Sequence, residues 1–453
     1  MRSSPRVSRR FAPFPAEVSA ECREERTLPL SRKNLSELVS DPPFPVFLLL
    51  VSAYFIGIFF RISASVVMPM EAERLAMSAA MTGFVSSLHF YSYAFMQPVA
   101  GVLHDRFGPV RVVTAGLFVT AASSLLMTFM RTPFTLGAWR LLSGLGVAPM
   151  YGATLVFQSF AFPQERYCFY AGINFALSNL GAIVSVAPLG FVLDTFGIGT
   201  TFAFLTAVNL AVMVVLGRSA KRDPLRAVAA RRERRPLSSL LPEIRDALAY
   251  VIRNRRMRGL LILWAISSAS MLTFQGLWGV SWFVAAYGAA PGAARFWASM
   301  ISFGMMLGPL ISGGRIIRPE TLPGTIRNVC IGNTLAWAIL FGVVAAGLPL
   351  QIAGIATLLV GVSSGMRGVF AMAGVNALSG KGNNGAIFGA MNMIVVLMAV
   401  VFQWGTGVII NFFPAAVPGT YTASGYLAGF GVVLIAMATS LFSLRLVGKR
   451  PLG

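Results

Sequence analysis

Charged side chains and histidine are scarce in this sequence. Charged residues make up 12% of the 453 residues, whereas about a quarter is usual for a soluble domain. Only 16 residues are acidic and 2 are histidines, so neither a Ser-His-Asp site nor a metal-dependent hydrolase is expected. No GxxxxGK[ST] loop for binding ATP phosphates occurs. These shortages argue against a soluble enzyme, and we expect no cofactor.

The cysteines are too few and too dispersed to form a framework. Cys22, Cys168 and Cys330 lie far apart and lack the spacing of metal ligands. We therefore expect no disulfide and no bound metal.

Apolar residues, in contrast, are abundant. Hydrophobic residues make up 56% of the chain and occur in continuous runs, as membrane-spanning helices of about 20 residues require. An outer-membrane barrel would instead show short segments of alternating hydrophobicity. The sequence predicts an all-α polytopic membrane protein. Its twelve transmembrane helices, spans 1 to 12, are expected at 46–68, 80–103, 110–130, 136–158, 168–192, 199–217, 259–283, 294–313, 325–346, 351–374, 385–410 and 424–446.

The twelve spans fall into two groups of six. Residues 46–217 are predicted to form one six-helix bundle and residues 259–446 a second, pseudo-symmetric one. Between them, residues 218–258 form a basic cytoplasmic loop in which an amphipathic helix is predicted to lie on the membrane surface. Residues 1–45 are expected to be a disordered cytoplasmic tail, and 447–453 a short cytoplasmic one. Two related bundles favour a substrate site between them, near the middle of the membrane.

The net charge of +21 would suggest a nucleic-acid partner in a soluble protein. Here most of the basic residues fall in the tails and in the loops on one side, which is the positive-inside pattern of membrane proteins. We therefore expect the lipid bilayer as partner and no nucleic acid. The predicted protein is a monomer in the inner or plasma membrane, with both termini cytoplasmic.

The turn between spans 2 and 3 carries the most specific motif, GVLHDRFGPVR. It contains Gly101, Asp105, Arg106, Gly108 and Arg111. A tight turn with topogenic charges would use the same residue types. The complete string, however, resembles the loop signature of the major facilitator superfamily.

The resemblance implies a gating role for this turn. Asp105 is then expected to face the N-terminus of span 11, near Asn383 and Asn384, and to hold the cytoplasmic side closed in the outward-facing state. Such a helix end carries partial positive charge. Pro109 and Val110 stand where that family usually has basic residues, so the charged contacts of the turn are expected to be fewer.

A second resemblance lies in span 4, where WRLLSGLG is similar to the Arg-x-x-x-Gly-x-Gly pattern of the same superfamily. Gly144 and Gly146 would let helices pack closely. Arg140 is interpreted as a gating residue, with snorkelling to the outer surface as the alternative. The resemblance covers about residues 44–447. Span 1 is also similar to a branch with phagosomal nutrient and lysosomal dipeptide transporters, which implies amino acids or small peptides.

Two further arginines lie deep in predicted spans. Arg61 is in span 1 and Arg367 in span 10. An arginine inside the hydrocarbon costs about 2.5 to 3.5 kcal/mol on insertion scales, so it normally faces a polar cavity and marks function. No acidic residue lies at similar depth to pair with either one. A guanidinium binds a carboxylate or phosphate best, so we expect an anionic or carboxylate-bearing substrate held between the two arginines. Pairing with backbone carbonyls is the structural alternative.

Other polar and aromatic residues within the spans are predicted to contact the substrate as well. They are His89, Tyr93, Asn174, Gln275, Trp278 and Asn392. His89 can also titrate near neutral pH, so it is the candidate for proton coupling. Interhelical hydrogen bonding is the alternative for each.

These observations predict a transporter that moves a small organic anion or an amino-acid-like or peptide solute by alternating access. A multidrug or metabolite exporter is the alternative within transport, although cationic drugs usually require a membrane-embedded acid. A sensor that binds its solute without moving it is the alternative of another class.

Overall fold

The computed structural model describes residues 43–129, 132–162, 167–220, 240–313, 320–379 and 384–448. Ten helices of this part are long and apolar enough to cross a membrane. Two more helices, Ala79–Phe107 and Tyr167–Val184, occupy the positions predicted for spans 2 and 5. The all-α class and the twelve-span arrangement are therefore confirmed.

The first six spans include two interrupted helices. Span 1 consists of Phe44–Ile62 and Ala64–Arg74, separated at Ser63. Span 2 is Ala79–Phe107, span 3 is Pro109–Phe129 and span 4 is Pro133–Ala161. Span 5 starts with Tyr167–Val184 and continues into Ala187–Ser219, which bends at Gly197 and forms span 6 beyond the bend. Spans 5 and 6 are thus two helices separated by a break at Gly197, which adopts a φ of 76° that other residues rarely tolerate.

The second six spans follow the amphipathic helix Leu240–Arg253. Span 7 consists of Arg255–Thr273, a π-helical segment Phe274–Trp278 and Gly279–Tyr287. Spans 8 to 11 are Pro291–Gly313, Leu322–Ala345, Leu350–Ser379 and Asn384–Ile410. Span 12 runs from Ala423–Ser440 to Leu444–Val447.

Local sequence explains where several helices begin and end. Ser78 and Thr132 accept hydrogen bonds from the first-turn amides of spans 2 and 4, and Thr132 forms a capping box with Thr135. Gly108 ends span 2 with a φ of 82°, and Pro109 starts span 3 immediately afterwards. The Gly-Pro pair therefore makes the sharp turn that the motif predicted.

The two bundles meet most extensively through three pairs of elements. Span 2 packs on span 11, span 5 on span 8, and the second segment of span 1 on the π-helical segment of span 7. Spans 2 and 11 approach most closely at two glycines. A Cβ atom on Gly83 would lie 2.5 Å from the carbonyl oxygen of Gln403, and one on Gly407 would lie 2.5 Å from that of Ala79. Substitution at either glycine would therefore push the bundles apart.

Both glycine contacts lie at the same end of the molecule. We call this the Asp194 end, because span 5 meets span 8 there at Asp194 and Arg295. The opposite, basic end carries the Gly108 turn and the helix Leu240–Arg253. One buried apolar cluster extends along the first bundle and into the second, and another joins the second bundle to the helix Leu240–Arg253. The described bundles are thus joined most tightly at the Asp194 end.

Candidate functional site

Arg61 lies in the middle of span 1, two residues before the break at Ser63. It is partly exposed, while its Nε atom is buried and has no hydrogen-bond partner. Tyr54, His89 and Tyr93 all lie close enough to interact with it electrostatically. The helix break and the neighbouring spans 2 and 4 thus place a guanidinium group with free donors among aromatic side chains.

Tyr151 of span 4 adds another aromatic ring, 5.2 Å from the ring of Tyr54 between centroids. We call Tyr54, Arg61, His89, Tyr93 and Tyr151 the Arg61 cluster. Both tyrosines of this ring pair are partly exposed. The cluster therefore combines one cation, phenol groups and ring surfaces, all from the first bundle.

His89 is buried within the cluster. Its Nδ1 atom lies 3.0 Å from Ser143 Oγ, and its ring stacks on Tyr93 at 6.2 Å between centroids. Its Nε2 atom has no partner. Arg61 and Arg140 both interact with it electrostatically. A protonated His89 would add a third positive charge here, and like charges repel strongly in a low-dielectric interior.

Arg140 is fully buried and hydrogen-bonded to other spans. Its Nε and Nη1 atoms donate to the carbonyl oxygens of Ser86 and Phe60, each at 3.1 Å. Its guanidinium group lies over the ring of Trp139. Arg140 therefore ties span 4 to spans 1 and 2 and does not snorkel to a surface. Pairing with carbonyls, considered above for Arg61 and Arg367, is what the structure shows for Arg140.

The two glycines of the span 4 motif have packing roles. Gly144 lies against the carbonyl oxygen of His89. A Cβ atom on Gly146 would lie 2.7 Å from the carbonyl oxygen of Gly116 in span 3. The close packing predicted from the motif is present.

The remaining predicted contact residues join spans of the same bundle or stay partly exposed. Asn174 donates to Thr154 at 2.9 Å, Gln275 to Ser302 at 2.8 Å, and Trp278 to Thr406 at 3.0 Å. Asn392 is partly exposed on span 11. Gln275 and Trp278 belong to the π-helical segment, which sequence patterning did not predict. Such segments are frequent at functional sites.

Arg367 lies inside the second bundle. Its Nη2 atom donates to Ser268 of span 7 at 3.0 Å, and it interacts electrostatically with Cys330 of span 9. The described contacts of Arg61 belong to the first bundle, and none joins it to Arg367. The expectation that both arginines hold one substrate stays a prediction.

The motif at the turn between spans 2 and 3 is only partly described. Gly101 is exposed, with open space where a Cβ atom would be. Arg106 lies over the ring of Phe107, and Arg111 is exposed. The side chains of Asp105 and Asn384, and all of Asn383, lie outside the described residues. The contact expected between Asp105 and span 11 therefore stays a prediction.

Sequence reasoning missed an ion pair between the bundles. Arg295 donates through both terminal nitrogens to the carboxylate of Asp194, and Nη2 lies 3.1 Å from Oδ1. Arg295 is 4% exposed, because it occupies the space that a side chain at Gly190 would fill. Opposite charges at the adjoining ends of spans 5 and 8 were the only available signal.

The charges of the described spans favour an anion. The described acidic residues whose side chains are placed, Glu71, Glu73, Asp194, Asp246 and Glu320, lie at helix ends or outside the spans. Arg61, Arg140 and Arg367 lie within spans 1, 4 and 10. Among the described residues, no group of three His, Cys, Asp or Glu side chains could hold a metal ion. The arrangement can attract and orient an anionic group.

Comparison with known families gives a match over most of the chain. A family model described as Major Facilitator Superfamily matches residues 48–403. The solved nucleoside transporter NupG superimposes with a TM-score of 0.68 at 15% identity, covering 89% of this chain and 100% of that chain. A bacterial homolog of the human lysosomal transporter Spinster gives 0.68 at 13% identity, covering 91% of this chain and 99% of that one. At such identities these likenesses establish the fold.

Curated relatives match regions of this chain that differ in length. A probable sulfoacetate transporter of Cupriavidus necator is 26% identical over 35% of this chain, and the match spans only 36% of that relative's length. A gentisate transporter of Corynebacterium glutamicum is 25% identical over 83% of this chain and 75% of the relative. A hexuronate transporter of Bacillus subtilis is 23% identical over 41% of this chain and 44% of the relative.

Proposed function

Because the chain belongs to the Major Facilitator Superfamily, we propose that it is a secondary transporter of a small organic anion and that Arg61 binds the anionic group of the substrate. The central observation is the state of the Arg61 guanidinium, which has an unpartnered Nε atom, partial exposure and no acidic neighbour among the described residues. A substrate carboxylate or sulfonate would supply the missing hydrogen-bond acceptor. Planar guanidinium groups bind such anions with two parallel bonds.

The rest of the Arg61 cluster is proposed to orient the substrate. Tyr54 and Tyr93 place phenol groups beside the guanidinium, so a bound anion can receive further hydrogen bonds. Arg140 is already bonded to two carbonyl oxygens, and its role is to hold spans 1 and 2 in place around the site. Contacts of the substrate with Asn174, Gln275, Trp278 and Asn392 stay predictions.

Three relatives support the substrate class through the solutes in their names. Sulfoacetate, gentisate and hexuronate all carry a carboxylate group. An amino acid or peptide, which the span 1 resemblance implied, also carries one, so a carboxylate is the shared chemistry. Export of cationic drugs is disfavoured, because no placed carboxylate of the described spans lies away from a helix end.

Alternating access is proposed from how the bundles meet. They are held together at the Asp194 end by the glycine contacts and the ion pair. If the basic end is cytoplasmic, as its charge predicts, this arrangement opens toward the cytoplasm. Rocking of one bundle against the other around Arg61 would then expose the site to the opposite side.

A screen for thermal stabilisation tests the proposed substrate class. The purified protein is heated with matched sets of carboxylates, sulfonates, sugars and organic cations at equal ionic strength. A ligand that binds the folded state raises the unfolding temperature, and the rise grows with the ratio of its concentration to its Kd. We expect stabilisation by carboxylates or sulfonates, lost in Arg61→Gln. Stabilisation by cations alone, or by anions equally in Arg61→Gln, would refute the proposal.

Proton coupling is proposed to depend on His89 or to be absent. The charge of Arg61 and Arg140 beside this histidine favours absence. External pH is recorded as substrate enters vesicles that contain wild type or His89→Gln. Proton movement that persists unchanged in the variant would contradict this proposal.

A further inference from the structure

The first bundle has an apolar groove that lies outside the Arg61 cluster. The groove is bounded by spans 2, 3 and 4 and opens to the surface of the bundle. Nine apolar residues and Arg111 line it, and its volume is about 360 Å³. Sites for small molecules have volumes of about 300 to 1,000 Å³. The groove is therefore large enough to hold a flexible apolar chain.

Small residues form the floor of this groove. Gly116 of span 3 has no side chain, and a Cβ atom there would lie 3.3 Å from the ring of Pro149 in span 4. The neighbouring Ala115 is exposed. Phe107 of span 2 and Leu145 of span 4 line the groove as well and are 45% and 39% exposed. The close packing of spans 3 and 4 at Gly116 thus leaves a depression between larger side chains.

The groove faces the lipid and not the second bundle. Span 3 packs on spans 2, 4 and 6 of its own bundle. Phe118 follows Arg111 by seven residues, so both lie on one side of span 3. The Phe118 ring is 60% exposed, as expected for a side chain among lipid tails. An acyl chain can therefore enter the groove directly from the bilayer.

The length of the groove matches one leaflet of a bilayer. On span 3 its lining runs from Arg111, the third residue, to Val119, the middle one, a rise of about 12 Å. On span 2 it runs from Phe107, the last residue, to Met96, a rise of about 16 Å. Half of the hydrocarbon core is about 15 Å thick. The groove thus extends from headgroup level at the basic end to the bilayer centre.

A cation lies at the headgroup end of the groove. Arg111 is exposed there, and the described ion pairs involve other arginines. Arg106 lies over the ring of Phe107, beside the same opening. The turn carries these two arginines against one acid, Asp105, so it is net positive. Guanidinium groups bind phosphate oxygens with two parallel hydrogen bonds.

We propose that the groove binds one phospholipid with an anionic headgroup, from the leaflet at the basic end. One acyl chain lies along spans 2, 3 and 4, and the phosphate pairs with Arg111. Basic sites between spans recognise anionic headgroups in this way. The bound lipid fills the depression and supports the three spans next to the turn. The proposal does not depend on the proposed function, because the groove is separate from Arg61.

Native mass spectrometry with defined lipids tests the proposal. The protein is freed of lipid in a maltoside detergent, and phosphatidylglycerol or phosphatidylcholine with the same acyl chains is titrated in. We expect one phosphatidylglycerol to bind saturably, about fivefold or more tighter than phosphatidylcholine. Glycerol 3-phosphate and oleate at equal concentration should not displace it. Displacement by either would assign the site to a free phosphate or a fatty acid and overturn the proposal.

Two variants with matched controls assign the binding to the groove. Arg111→Gln should lower the affinity for phosphatidylglycerol to that for phosphatidylcholine. Ala115→Phe fills the groove and keeps Arg111, so it should weaken the binding of both lipids. The controls are Arg327→Gln, an exposed arginine of span 9, and Ala122→Phe, an exposed alanine of span 3 outside the groove. Both controls should bind like wild type.

Three results would overturn the proposal. Equal affinity of wild type for the two lipids would indicate unselective boundary lipid. Unchanged binding of phosphatidylglycerol in Ala115→Phe would place the acyl chain elsewhere. A wild-type preference for phosphatidylglycerol in Arg111→Gln would remove the headgroup contact, and this result decides if Ala115→Phe fails to fold.

Discussion

Arg61, Arg140 and Arg367 illustrate how far single residues can be interpreted from sequence. Each could be recognised as a costly arginine within an apolar span, because hydropathy alone shows its depth. Their different surroundings could not be recognised, because the partners come from distant parts of the chain. The acceptors of Arg140 are Phe60 and Ser86, which are 80 and 54 residues away. Only the folded bundle shows that two nitrogens of Arg140 donate to carbonyl oxygens, whereas Arg367 has one bonded nitrogen.

Substitution of Arg61 should reduce anion affinity more than stability. Arg61→Gln removes a charged hydrogen bond to the substrate, worth about 1.5 to 3 kcal/mol, and should weaken binding by about one to two orders of magnitude. Arg61→Lys keeps the charge without the planar group and should have an intermediate affinity. Titration calorimetry with a stabilising anion measures the loss. Wild-type affinity in both variants would make Arg61 a structural residue.

Arg140→Gln should behave in the opposite way, since it disrupts the fold around the site. The substitution removes two charged hydrogen bonds to the buried carbonyl oxygens of Phe60 and Ser86, each worth about 1.5 to 3 kcal/mol. We expect a lower unfolding temperature than in Arg61→Gln under the same conditions. Equal unfolding temperatures for the two variants would show that the Arg140 hydrogen bonds contribute little.

At the level of elements, the apolar runs predicted the spans but not their irregularities. The kink at Gly197 and the π-helical segment Phe274–Trp278 leave hydropathy almost unchanged.

Glycine spacing on spans 2 and 11 carries more information. Gly101 follows Gly83 by 18 residues, which is five helical turns, so both lie on one face. Gly389 precedes Gly407 by the same distance. Gly83 and Gly407 are packed between the bundles, while Gly101 and Gly389 have open space around them.

This spacing predicts opposite effects for two glycine substitutions. Gly83→Leu should prevent close packing at the Asp194 end, whereas Gly101→Leu should leave that end unchanged and prevent closure at the basic end. Single cysteines placed at each end, in a variant without the natural cysteines, report solvent access by alkylation. We expect labelling to increase at the Asp194 end in Gly83→Leu and at the basic end in Gly101→Leu. The same labelling pattern in both variants would contradict the two-ended arrangement.

The whole molecule was predictable in outline because its topology follows from spans, charge and motifs, each readable along the chain. How the two bundles are held together was not predictable. Asp194 and Arg295 are 101 residues apart, and each could be interpreted as an ordinary charge at a span end. In the folded protein they form a pair across the bundles in which Arg295 is almost fully buried.

Asp194→Asn should therefore shift the molecule away from the state closed at the Asp194 end. The substitution leaves the Arg295 charge buried without its counter-charge in that state. Cysteine labelling at the Asp194 end should increase, and adding Arg295→Gln should partly reverse the increase. Asp246→Asn is the control, because it removes a carboxylate from an exposed ion pair. Labelling unchanged from wild type in Asp194→Asn would show that the ion pair does not stabilise this closure.

Uptake into vesicles tests the central claim, transport of an organic anion bound at Arg61, most directly. Vesicles that contain the purified protein are preloaded with an unlabelled carboxylate that stabilises it, and entry of the same labelled carboxylate is measured. The control variant is Arg218→Gln, which removes an exposed arginine of the same bundle outside the Arg61 cluster and the gating turn. We predict accumulation with wild type, retained exchange with Arg218→Gln and at least a tenfold slower rate, about 1.4 kcal/mol, with Arg61→Gln. Binding without uptake by wild type, which would indicate a sensor, or equal uptake by wild type and Arg61→Gln, would contradict the claim.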